Sequence, residues 1–237
     1  LEKFLNNNKS SFVEKLDPVY HAIKKTRAKL SKEKSLIAFV GAPWTLIIYM
    51  LEIKKDKISL SDDEKMKIKE IIESLINYLC VHIKKQIDAG ADVIQIFDSW
   101  AGLLQGPDLY NLCYEPNARI VDFCKKNNIP TICFPKGISK NYVNFNNEVK
   151  PDGLSIDYDL DPVWAKKNLN NVALQGGMHP KTLLRSEKEI YKEAKKYLDI
   201  FNDVPYIFNL GHGIVPETDP DNLDKLIKFV REYKWKT

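Results

Sequence analysis

The chain has no apolar run near the ~18–20 residues that a membrane-spanning helix needs. Its best candidates, Leu36–Gly41 and Thr45–Leu51, are short and interrupted by Gly and Pro, so no membrane association is expected. The opening LEKFLNNNKSSF is too polar for a signal peptide. Four cysteines occur among 237 residues, Cys80, Cys113, Cys124 and Cys133, and none forms a CxxC pair. That usage fits reduced thiols in a cytoplasmic protein. Arginine is as scarce: Arg27, Arg119, Arg185 and Arg231 are four of the 36 basic residues, and the others are Lys. Arg is the preferred fork for carboxylates and phosphates, so a polyanion site here has few to draw on. The net charge of +4 is mild and dispersed, which argues against a nucleic-acid partner. Lysine-rich stretches such as Lys24-Lys25 and Lys54–Lys57 read as solvated faces. No GxGxxG, GxxxxGK[ST] or GxSxG is present, which removes the usual nucleotide-loop and serine-hydrolase signatures.

What is present is alternation. Six short apolar runs read as buried strands: Leu36–Gly41, Asp92–Phe97, Pro130–Phe134, Gly153–Asp157, Asn171–Gln175 and Pro205–Leu210. Near-continuous apolar strands mark a parallel sheet covered on both faces. Between them lie helical patterns, the clearest over Asp62–Ala89, with Ile68, Ile71, Ile72, Leu75, Ile76, Leu79, Ile83 and Ile87 on one face. Ser61 and Glu64 fit a capping box at its start, and Gly90 ends it. Ser186–Ile200 and Asp219–Tyr233 repeat the pattern. Such alternation predicts an α/β chain. An open doubly wound sheet and a (β/α)8 TIM barrel both fit. The absent nucleotide loops and the polar residues at several strand ends favour the barrel, which needs eight strands where six are counted.

Three strand ends carry chemistry. After Gly41, Pro43 and Trp44 turn the chain, and Tyr49 follows about a turn and a half later. Its phenol can donate to a ligand acid, or can simply bond to backbone under an apolar first turn. Asp98-Ser99 closes the second strand, either as catalytic-face residues or as a helix cap. His212 stands between Gly211 and Gly213 directly after the last strand. A core histidine sits among bulky neighbours, so the flanking glycines point to a ligand or an acid–base role. Metal candidates are poor: Cys80-Val81-His82 lies in a helical pattern, and Met178-His179-Pro180 has no acidic or Cys neighbour.

Taken together, these motifs resemble the uroporphyrinogen decarboxylase family of haem biosynthesis. GAPWTLIIYM is similar to the family's GAPxTLxxYM, and QIFDSWAGLL to its QxFDSWAG. FPKG, GLSIDY, VALQGGMHP and FNLGHGI follow in the family's order, across nearly the whole chain. The resemblance implies one barrel domain over residues 1–237, with these six strands as its third to eighth, in a homodimer that needs no metal or organic cofactor. It implies substrate-binding roles for Tyr49, Ser99 and His212, and pocket-lining roles for Phe39 and Phe97. Asp98 matches an acidic position beside the Ser and is not expected to be catalytic. Gly177 and His179 depart from the Asn and Asp that many members carry. The family's MRQAGRY segment and catalytic Asp have no counterpart here. With Leu rather than Met as the first residue, an N-terminal part is expected to be missing, and no catalytic residue is expected among these 237.

The implied substrate is uroporphyrinogen, an anionic cyclic tetrapyrrole whose four acetate arms lose CO2 to give coproporphyrinogen. Two readings compete with it. A corrinoid-linked methyltransferase on the same barrel would need a His/Cys zinc site, and no HxC occurs. A non-catalytic remnant would keep the pocket wall without turnover.

Overall fold

The computed structural model describes residues 9–53 and 58–235. The six apolar runs become strands β1 (Ile37–Gly41), β2 (Val93–Asp98), β3 (Thr131–Pro135), β4 (Gly153–Ile156), β5 (Ala173–Gly176) and β6 (Tyr206–Ile207). They pair in parallel, each with the next, in the order β1-β2-β3-β4-β5-β6. This sequential neighbouring of parallel strands is how a (β/α)8 barrel is laid down, and six strands in that order are present here. Among the described residues β1 and β6 pair on one side only, so the sheet has two open edges.

Observed bounds differ from the expected ones by at most two residues, except at the last strand. There only Tyr206 and Ile207 are in strand geometry, and a single bridge from Met178 to Leu210 carries the pairing further. The helices are α1 (Lys9–Lys29), α2 (Pro43–Met50), α3 (Asp62–Asp88), α4 (Gly106–Leu109), α5 (Glu115–Lys126), α6 (Tyr142–Val149), α7 (Pro162–Asn168), α8 (Glu187–Ile200) and α9 (Pro220–Glu232). A π turn, Tyr110–Tyr114, joins α4 to α5. The expected capping box forms at α3: the Glu64 amide donates to Ser61 Oγ, and Glu64 Oε2 accepts from the Ser61 amide at 2.8 Å.

Helix α1 was not anticipated. It lies on α3, with Phe12 tilted against Tyr78 at 4.9 Å and the Tyr20 hydroxyl 2.9 Å from His82 Nδ1. At its end Arg27 reaches Asp92 Oδ2 at 2.6 Å, and the same oxygen accepts the Leu36 amide, so one carboxylate ties α1 to the start of β1 and β2. Lys24 and Lys25 are exposed as expected, while Lys54–Lys57 lies outside the described residues.

Alternation along the strands sorts the layers. Ala38, Val40, Ile94, Ile96, Leu154 and Ile156 are buried toward the helices. Ile37, Phe39, Gln95, Phe97, Phe134, Ser155 and Gln175 occupy the other, concave face. Phe39 is 65% exposed there and Ile37 40%, because nothing among the described residues covers the β1 edge.

Candidate functional site at the C-terminal edge of the sheet

The concave face carries a row of rings. Phe39 on β1 meets Phe97 on β2 edge-on at 5.8 Å, Phe97 meets Phe134 on β3 at 6.1 Å, and Phe134 meets His212 at 6.2 Å. The register explains the spacing. Phe97 and Phe134 are direct partners across β2 and β3, and Phe39 sits two residues below them on the same face, opposite Gln95. Edge-on aromatic pairs add about 0.5–1.5 kcal/mol beyond their burial, so the row is a stable apolar floor.

At the C-terminal end of that floor is a cavity of about 340 Å³. It is lined by Gln95, Phe97, Ser99, Phe134, Ser155, Asn209, Leu210, His212 and Gly213. No acidic residue is in this wall. An apolar cleft of about 370 Å³ between β6 and α9 adjoins it and shares Asn209, Leu210, His212 and Gly213. Both volumes lie in the ~300–1,000 Å³ range of small-molecule sites. Arg231 lines the second cleft.

Ser99 and His212 therefore come together. Tyr49 does not join them. Helical rotation carries its ring outward, where it is 62% exposed and packs edge-on against Trp100 at 6.4 Å. It stands on the same edge of the sheet but outside the wall of this cavity. The alternative of a backbone-bonded, buried Tyr49 fails.

His212 is held by its own loop. The Gly213 amide donates to His212 Nδ1 at 2.7 Å, which leaves the ring proton on Nε2. Burial holds the His212 pKa below its ordinary value, the nearby Lys136 charge lowers it further, and Asp157 opposes both. The ring is thus neutral at pH 7 and offers an Nε2–H. Gly211 is required here for close approach, since a Cβ on it would lie 2.5 Å from the Tyr158 amide nitrogen. Gly213 has open space around it instead.

The two buried carboxylates of this edge are fully engaged elsewhere. Asp98 points into the helix layer, where Thr45 Oγ1 donates to Oδ1 at 2.8 Å and Asn117 Nδ2 to Oδ2 at 3.0 Å. Burial raises its pKa and those bonds partly offset the rise. It caps none of the described helices and is not in the lining of either cavity. Asp157 accepts from the Gly137 amide at 2.7 Å, the Tyr142 hydroxyl at 2.9 Å and the Asp159 amide at 3.0 Å. The thiols of Cys113 and Cys133 lie in the same layer, and burial pushes both well above the usual range.

The matches to known proteins agree with this architecture. Residues 2–233 match the family described as uroporphyrinogen decarboxylase (URO-D). The chain belongs to the uroporphyrinogen decarboxylase family. It is 40% identical over 220 residues to the uroporphyrinogen decarboxylase of Wolbachia pipientis wMel, covering 91% of this chain and 65% of the relative. To that of Rickettsia bellii (strain RML369-C) it is 39% identical over 241 residues, covering 99% of this chain and 70% of the relative. The chain thus spans about two thirds of the uroporphyrinogen decarboxylases it matches. Among solved structures, a B12-independent methionine synthase from Shewanella sp. W3-18-1 superposes with a TM-score of 0.62 at 15% identity, over 90% of this chain and 66% of that one. At that identity the likeness concerns the barrel fold alone.

Within this uroporphyrinogen decarboxylase-family chain, Phe134, Ser155 and Asn209 also line the cavity, although no role was expected of them. They lie in the segments FPKG, GLSIDY and FNLGHGI. The available signal was positional: each lies at, or one or two residues from, the C-terminal end of a strand.

Proposed function

We propose that this chain holds uroporphyrinogen III against the aromatic floor of β1–β3 for decarboxylation to coproporphyrinogen III. The observation that carries this reading is the family match joined to a cavity wall of rings and neutral donors with no carboxylate in it. A tetrapyrrole presents flat apolar rings and a fringe of anionic arms. Phe39, Phe97 and Phe134 suit the rings; Ser99 and the Nε2–H of His212 suit the arms; Tyr49, at the outer rim, suits an arm that leaves the cavity.

In the reaction, each acetate arm loses CO2 by breaking its C–C bond. The electron pair passes into a pyrrole that has been protonated, so the macrocycle is its own electron sink. The arm carbon then takes a proton and becomes a methyl group, and the ring gives up the proton it had taken, so one proton is consumed for each CO2 released. The chain's share is to bind, orient and keep negative charge away from the arms. We assign it no acid that stabilises the protonated ring, because Asp98 and Asp157 are consumed by Thr45, Asn117, Tyr142 and backbone amides.

The test is anaerobic incubation with uroporphyrinogen III, with seven- to four-carboxylate products separated by chromatography, beside fluorescence titration with uroporphyrin. Binding without turnover by these 237 residues is expected. No binding at all would remove the reading, and turnover would show that an acid has been overlooked.

A further inference from the structure

Next to the cavity wall, just past Phe134, the FPKG segment carries a cation to which no role has yet been given. Lys136 follows β3 two residues after Phe134. Its Nζ lies 6.0 Å from the centre of the Tyr158 ring, which in turn leans on His179 at 4.2 Å. Its field reaches His212. Ten ion pairs are formed among the described residues, and Lys136 is in none of them. The adjacent carboxylate that could have neutralised it by contact, Asp157, spends its oxygens on Gly137, Tyr142 and Asp159.

The backbone that carries this ammonium is fixed from both sides. The Lys136 amide donates to the Asp98 carbonyl at 3.1 Å, and the Lys136 carbonyl accepts from the Gly102 amide at 2.9 Å. The next amide, Gly137, is the one bonded to Asp157. Gly102 and Gly137 touch so closely that a Cβ on Gly102 would lie 2.8 Å from the Gly137 carbonyl oxygen. A lysine on a mobile loop loses entropy on binding, and one on a braced turn has lost part of it already.

We propose that Lys136 is a substrate-binding residue whose ammonium takes one carboxylate arm at the rim of the cavity, beside the arm that His212 holds. The proposal rests on the tetrapyrrole reading above. It assigns a charge to a cavity whose own lining offers only neutral donors, beside a cleft that holds Arg231, in a chain whose Arg27 and Arg119 are already paired with Asp92, Glu73 and Glu115.

The experiment is fluorescence titration of the 237-residue chain with uroporphyrin, which has acetate and propionate arms, and with coproporphyrin, which keeps only propionates. K136M should weaken uroporphyrin binding about tenfold or more, the size expected for one hydrogen-bonded charge. K136R should restore most of it. Weakening of both porphyrins by K136M places a propionate at Lys136; weakening of uroporphyrin alone places an acetate there. An independent readout is the His212 titration followed by its imidazole NMR signal, which K136M should move to higher pH. If the unaltered chain binds neither porphyrin, the tetrapyrrole reading falls and this assignment with it. If the unaltered chain binds and K136M binds equally well, or if the His212 titration stays where it was, Lys136 alone is removed from the site.

Discussion

The Gly213 amide donates to His212 Nδ1 at 2.7 Å, so the loop itself selects the tautomer that presents Nε2–H. His212→Asn separates the two ring nitrogens in function. Asn Oδ1 can still accept from Gly213, and the outer donor is gone. Uroporphyrin affinity should fall about ten- to a hundredfold, as for a lost hydrogen bond to a charged group, with an unchanged melting temperature. Equal affinity in fluorescence titration would take His212 out of the site.

Thr45 and Asn117 hold a carboxylate that is 1% exposed. Thr45→Val removes one charge-assisted donor and should cost about 1.5–3 kcal/mol of stability in urea unfolding at pH 7. Burial already raises the Asp98 pKa above 3.8, and losing a donor raises it further. A protonated Asp98 needs that donor less, so the cost should shrink as pH falls through the raised pKa. A cost that does not change with pH would mean that Thr45 acts through packing alone.

His82 lies between Tyr20 and Gln86, at 2.9 and 2.7 Å, and burial lowers its pKa below 6.5. The unfolded chain then takes up the proton first as pH falls. Stability should therefore be complete above about pH 6.5 and decline below it, until the folded-state pKa is passed. His82→Gln should flatten this decline between pH 8 and 5.5 without abolishing it, since His212 titrates in the same sense. An identical slope in the variant would clear His82 of the effect.

Among the described residues, two strand edges and the side chains of Ile37, Phe39, Ile207 and Ile214 are open to solvent. The isolated 237 residues should bind a hydrophobic dye strongly and tend to self-associate. Phe39→Ser should lower dye binding. A monodisperse solution with no dye signal would show that this face is covered in a way the strand pairing does not describe.

The strands were legible because each is a short, mostly apolar run whose few polar residues, such as Gln95, Ser155 and Gln175, are themselves buried on the concave face, and the parallel order followed from the helices between them. Strand β6 came out shorter, since Pro205 cannot donate and Asn209 turns its own Oδ1 to the Leu210 amide at 2.8 Å. Helix α1 was hidden by Pro18 in its middle and by charged residues between its few apolar contacts. In the site, Ser99, Phe97 and His212 could be read from their places at strand ends. That Tyr49 would stand outside the cavity wall could not, because half a helical turn decides whether a ring faces the cavity or the solvent, and a motif does not encode that rotation.

The strap made by Gly211 has a further bearing. Its amide bonds to Met178 beyond β5, and its Cα lies against the chain leaving β4. Strand β6 has only two residues with which to fix its own register. The address of His212 is therefore written by β4 and β5, and the imidazole should keep its place in the cavity even when the last strand frays.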